Sequence, residues 1–179
     1  MAEILEFHQQ RRRLAAKKGF AAWTKRFSES FDENTTLENL SDSTVRTLIQ
    51  GGEDSSLLLY ELIMGIKRLG RGAQFHDLES EAKLAVTDVT LFLLDQVRFE
   101  AMRRLGWVEP SPAFRIPIPD LIEDLSTVYA TMKSQTPELH PSHPRYREYQ
   151  EAFEGDRPVF VRRLLPDALE SFREKDKGA

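Results

Sequence analysis

The sequence predicts an all-α fold: an irregular bundle of six or seven helices around a long central helix at about 77–105, with proline-rich connections and no significant sheet. Three observations carry that expectation. The run Val89-Thr90-Leu91-Phe92-Leu93-Leu94 has five apolar residues in six. Consecutive residues on a helix point in every direction, so an unbroken apolar run calls for enclosure on all sides. Elsewhere apolar residues recur at helical spacing, as in Leu58, Leu62, Ile66 and Leu69. No segment alternates with the period of two that a half-buried strand requires.

Element by element, residues 3–31 read as one helix or as two meeting at Gly19, with Phe20, Trp23, Phe27 and Phe31 forming an aromatic stripe. Residues 32–39 are polar and read as a connector. Ser41 is placed to cap a helix, with Leu40 and Val45 set for a hydrophobic staple and Gly51-Gly52 closing it. A second helix starts at Asp54 or Ser55. It contains Gly65, which costs about 0.8–1 kcal/mol relative to alanine and so predicts the close approach of another backbone. The central helix is expected to begin at a cap on Asp77 and to end at Gly106, with Trp107 folding back onto Met102. Pro110, Pro112, Pro117 and Pro119 then impose an extended traverse that Ile116 and Ile118 anchor. An amphipathic helix at 119–134, a short one led by Pro144 and a last one at 157–174, kinked or restarted by Pro166, complete the chain. The domain reading is a helical arm at 1–31, a bundle domain at 41–174 and a fraying tail at 175–179.

At 179 residues, with 40% hydrophobic and 30% charged residues, the chain fits one domain with a real core. The amino terminus lacks a basic flank followed by an apolar stretch, so it is no secretory signal. No apolar run approaches the roughly 20 residues of a membrane span. Cysteine is absent, which removes disulfides, thiolate metal sites and cysteine nucleophiles. The expected location is the cytoplasm. The net charge of -4 hides an asymmetry. Residues 1–27 carry a net +5 and residues 28–61 a net -7, so the basic segment either meets phosphates or lies on the acidic one.

Four sets of residues are candidates for function. Glu81, Asp88 and Asp95 repeat every seven residues on one face of the central helix, and Arg98 is placed to pair with Asp95. An interior polar site of Asp88, Asp95 and Arg98 would suit a small-molecule enzyme or sensor, whereas a structural ion pair is the simpler alternative. The stripe Phe20, Trp23, Phe27 and Phe31 is either core or the surface for a protein partner or a second copy. Arg11, Arg12, Arg13, Lys17 and Lys18 are candidate phosphate contacts for nucleic acid. Their charge wraps around the helix, however, and the 41–70 helix pair offers no base-reading side chains in the first turns of its second helix. His140-x-x-His143 lies among prolines, without the helical geometry or the further ligands of a zinc site. There is no Glu-x-x-His, phosphate loop or nucleophile elbow, and no metal or cofactor is expected. The leading expectation is a non-enzymatic protein–protein interaction module, homodimeric through residues 1–31.

Overall fold

The computed structural model describes residues 1–132 and 134–175. Among these residues the fold is all-α, with ten α-helices. In chain order they are α1 (Ala2–Gly19), α2 (Ala21–Phe27), α3 (Asp42–Ile49), α4 (Glu53–Lys67), α5 (Ser80–Arg104), α6 (Ile118–Glu123), α7 (Leu125–Thr131), α8 (Tyr146–Glu151), α9 (Arg157–Arg163) and α10 (Leu165–Glu174). The excess over six or seven comes from long helices breaking. Phe20 separates α1 from α2, Asp124 separates α6 from α7, and the chain restarts at α10 with Pro166 in its first turn. A proline lacks the N–H that a continuing helix would use, but a first turn does not need it.

Several local signals act as read. Ser41 Oγ accepts the Thr44 N–H at 3.1 Å and caps α3. At the end of α5, Gly106 adopts φ +78, and the Trp107 N–H donates to Met102 O at 3.0 Å. That is the folded-back ending the glycine predicted. Gly65 does meet another backbone. A Cβ placed there would lie 2.7 Å from Gly19 Cα, so α1 crosses α4 glycine on glycine.

The two proline-rich traverses are joined to each other. Glu109 N donates to Glu138 O and His140 N to Trp107 O, both at 2.8 Å, around an isolated antiparallel bridge between Val108 and Leu139. Ile118 is buried and Ile116 half-buried, so the first traverse is anchored mainly through Ile118. Among the described residues no helix is long and apolar enough to cross a membrane.

Two expectations need correction. Asp77 ends a short 3-10 turn at Gly72–Asp77 instead of capping the central helix, which begins at Ser80. α5 is not enclosed on all sides. Val89, Phe92 and Leu93 are buried, but Leu84 is 66% and Leu91 58% exposed. Leu84, Asp88 and Leu91 follow one another at helical spacing and form a wet flank on its first half, while Phe99, Glu100, Ala101 and Met102 make the second half dry. Lys175 Nζ stands 3.8 Å from Asp42, and residues 176–179 of the tail expected to fray lie outside the described residues.

The arm boundary also moves. The first eleven residues are exposed throughout, whereas Ala16, Phe20 and Trp23 belong to the same core as Leu58, Leu62 and Ile66, and Gly19 is buried between them. The connector at 32–39 is docked too. Leu37 is buried, and Thr35 O accepts the Ile118 N–H at 2.8 Å.

Candidate functional site

Of the sequence candidates, the aromatic stripe is the first to change meaning. α2 stops at Phe27, and Ser28 takes the left-handed conformation at φ 54, which turns the chain back. Phe31 therefore returns to stack on Phe20, with ring centroids 5.3 Å apart, and meets Trp23 edge-on at 5.6 Å. Phe20 and Trp23 are each 1% exposed, and Trp23 Nε1 donates to Leu58 O at 2.8 Å. Phe27 and Phe31 pack half-buried against the same core. Phe20 and Trp23 are thus core, and Phe27 and Phe31 are partly covered by their own chain, which is the core reading of the stripe. Glu29, beyond the turn, accepts from Ser41 Oγ at 2.6 Å, which fixes the returning segment to the start of α3.

The acidic face of α5 is a surface feature. Asp88 is exposed on the wet flank. Asp95 is half-buried and pairs with Arg162 of α9 at 3.0 Å, closer than Arg98 at 3.8 Å. Asp88, Asp95 and Arg98 therefore do not converge on an interior site, and the ion pair is the reading that stands. The Tyr129 hydroxyl, whose ring meets Phe92 edge-on at 5.2 Å, is pushed up by burial and by the nearby Asp88 and Asp95 charges.

The buried carboxylate is Glu100, which the sequence reading did not single out. It is 0% exposed and accepts from Arg103 Nε and Nη2 at 2.7 Å and from Arg104 Nε at 2.8 Å. Arg104 reaches on to Asp42 at 2.9 Å and to Leu37 O at 3.1 Å. This fork joins α5 to the first turn of α3. The hydrogen bond to Glu100 is also the main reason the Arg103 guanidinium is raised above its ordinary range. Every strong donor here is spent on the protein itself, so the cluster is architectural.

The basic segment divides. Arg12 pairs with Asp120 at 3.0 Å and Arg13 with Glu33 at 3.1 Å, so two of the five candidate phosphate contacts lie against acids of their own chain. Arg11, Lys17 and Lys18 remain on the exposed side of α1. The His140 and His143 rings serve as loop caps. Their Nδ1 atoms accept the backbone N–H groups of Ser142 and Arg145, each at 3.1 Å. Among the described residues no group of three potential metal ligands occurs.

His143 gives a pH prediction. Its ring meets Trp107 at 5.2 Å, and burial first, then the Arg145 charge, lowers its pKa below the ordinary 6.5. Protonation is thus easier in the unfolded chain. This group contributes its full stability above pH 6.5, and the contribution falls as pH drops toward the lower folded value. In an NMR titration, the His143 ring protons should show a midpoint below 6.5. A midpoint at or above that value contradicts the half-buried ring against Trp107.

What emerges as a surface is the free side of α1. Ile4, Phe7, Arg11, Leu14 and Lys18 follow one another at spacings of three, four, three and four, the rhythm of a coiled-coil seam. The apolar members are wet: Ile4 and Phe7 are each 61% exposed and Leu14 67%. A groove of about 300 Å³ runs beside them, lined by Phe7, Gln10, Arg11, Leu14 and the Arg68 that ends α4. The signal was present as the 4-7-14 spacing, but the stronger aromatic stripe beyond it drew the reading. Comparison with known protein families, curated proteins and solved structures gives no match, so the case for function rests on this geometry.

Proposed function

We propose that the protein is a non-enzymatic interaction module that self-associates through α1, two copies pairing their seams antiparallel. The supporting observation is a row of exposed large apolar residues, Ile4, Phe7 and Leu14, on a helix whose residues before Arg12 are all exposed. Clustered exposed apolar surface marks an interaction site more often than chance placement does. Charge selects the partner and its direction. Glu3 and Lys17 occupy the same flank of the seam at opposite ends. Antiparallel pairing sets Glu3 of one copy beside Lys17 of the other, and it places Ile4 over Leu14 and Arg11 over the Phe7 ring, where a cation is attracted to the π face. Parallel pairing instead stacks Arg11 on Arg11, two like charges in the seam.

The test is sedimentation equilibrium of the full chain across the micromolar range. The short seam, about 27 Å for the 18 residues of α1, predicts a reversible, concentration-dependent dimer. Phe7→Glu should render it monomeric without changing its thermal unfolding, because Phe7 touches little of its own fold. A wild-type chain that stays monomeric to high micromolar concentration overturns the reading, as does a dimer indifferent to Phe7→Glu.

A further inference from the structure

At the opposite end of α1 lies a cleft of about 650 Å³, within the range of small-molecule sites. Its origin is the glycine crossing. α1 ends at Gly19 and α2 begins at Ala21, and Lys18, Ala22 and Lys25 from the two helices line one side. α4 forms the other wall with Glu61 and Gly65, and the Gly70-Arg71 turn closes one end. Because Gly65 has no side chain where the backbones meet, the floor beside the crossing is left low.

The charges around this hollow are unbalanced. Lys18, Lys25, Arg26 and Arg71 surround it, against the single carboxylate of Glu61. Arg71 stands 3.5 Å from Glu61, and Arg26 stands 3.5 Å from Asp54. Among the described residues Lys18 and Lys25 form no ion pair. With Arg71 and Arg26 each beside an acid, Lys18 and Lys25 leave an excess of positive charge at one concave mouth, and a low-dielectric wall focuses that field on whatever occupies it. An anion relieves that excess.

We propose that this cleft binds a small phosphorylated ligand, with Lys18, Lys25 and Arg71 donating to its phosphate oxygens. The size and charge of the molecule exclude the obvious larger anion. A duplex or long strand needs a basic face, whereas this chain carries a net -4 and spends Arg12 and Arg13 on its own acids. A compact ligand needs only the local field. The proposal is distinguishable from α1 self-association: Lys18, the last position of the seam, lines the cleft, but Ile4, Phe7 and Leu14 do not, and Lys25 and Arg71, the residues substituted in the test, lie outside the seam.

Glu61 gives the proposal a distinctive sign. Its carboxylate opposes an incoming phosphate and also holds Arg71 back. Glu61→Gln keeps the shape, removes the repulsion and frees Arg71, so binding should tighten. Replacing a carboxylate at an ordinary ion-paired surface has no reason to do so.

The experiment is calorimetric titration of the full chain at low ionic strength with inorganic pyrophosphate and, separately, with ADP. Binding is expected for both. Equal affinities identify the phosphate group as sufficient, and a tighter ADP identifies a nucleotide as the natural source. Lys25→Gln combined with Arg71→Gln should weaken binding by about tenfold or more. Glu61→Gln should strengthen it by several fold, and Arg147→Gln, on the distant and 91% exposed Arg147, should leave it unchanged. The proposal is overturned if neither anion binds at millimolar concentration or if Arg147→Gln weakens binding as much as the cleft pair. A single-stranded oligonucleotide that binds more tightly than ADP, or a Glu61→Gln chain no tighter than wild type, also overturns it.

Discussion

Glu100→Ala is expected to destabilise the fold by about 3–5 kcal/mol, as a drop in urea or thermal midpoint. Glu100 has no solvent exposure and neutralises two guanidinium groups, one of which, Arg104, is itself only 11% exposed. Truncating the carboxylate leaves Arg104 with Asp42, 41% exposed, as its remaining charged partner, and takes from Arg103 its hydrogen-bonded carboxylate. The penalty is that of an uncompensated charge, not the net worth of the pair. Glu100→Gln should fall short of that loss, because the amide keeps an acceptor for Arg104 while losing the charge. A Glu100→Ala chain within about 1 kcal/mol of wild type contradicts the buried fork and would mean that solvent reaches this end of α5.

The second large effect separates the two halves of the arm. A chain beginning at Ser41 should fail to fold, because it lacks Phe20 and Trp23, whose loss from a core costs about 3–5 kcal/mol each, and Leu37 besides. A typical domain has only about 5–15 kcal/mol of stability to lose. A chain beginning at Gln10 should fold with an essentially unchanged melting temperature, since residues 1–9 are exposed throughout. It should nonetheless lose self-association, having lost Ile4 and Phe7. Circular dichroism and sedimentation on the two truncated chains read both outcomes. A folded Ser41 chain would restore residues 1–31 as a separable appendage. An unfolded Gln10 chain would mean that the first half of α1 packs on the body after all.

Signals that act over one helical turn were legible in the sequence. The Ser41 cap, the Gly106 ending and the restart at Pro166 depend on a few adjacent residues, and each is where the residue types put it. Gly65 was legible one step further out. A glycine inside a good helix needs a reason, and the reason is Gly19. Partners set by the tertiary path were not legible. Asp95 had Arg98 at the expected three-residue spacing, but its closer partner, Arg162, arrives on α9. Glu100 looks from its neighbours like an ordinary Glu-Arg surface pair, and only the packing of α3 and the Leu37 turn makes it interior.

Leu91 and Phe31 misled for a related reason. Five apolar residues in six suggest a fully enclosed helix, yet the neighbours that cover Val89, Phe92 and Leu93 leave one side of α5 uncovered. Likewise a stripe at 20, 23, 27 and 31 assumes one continuous helix, and Ser28 breaks that assumption while keeping all four rings together. In both cases composition correctly marked an apolar cluster but not which surface it faced.

The bare contact at Gly19 and Gly65 constrains how such a chain diverges. A Cβ at Gly65 would strike the Gly19 backbone, and one at Gly19 would lie 2.8 Å from Ile66 Cγ1 and 3.0 Å from Leu62 O, so neither residue can be enlarged while the two rods touch this closely. A descendant that keeps this crossing has to keep both bare positions through any amount of drift elsewhere. A descendant that loses one must lift the first rod away, and the hollow beside it changes shape in the same event.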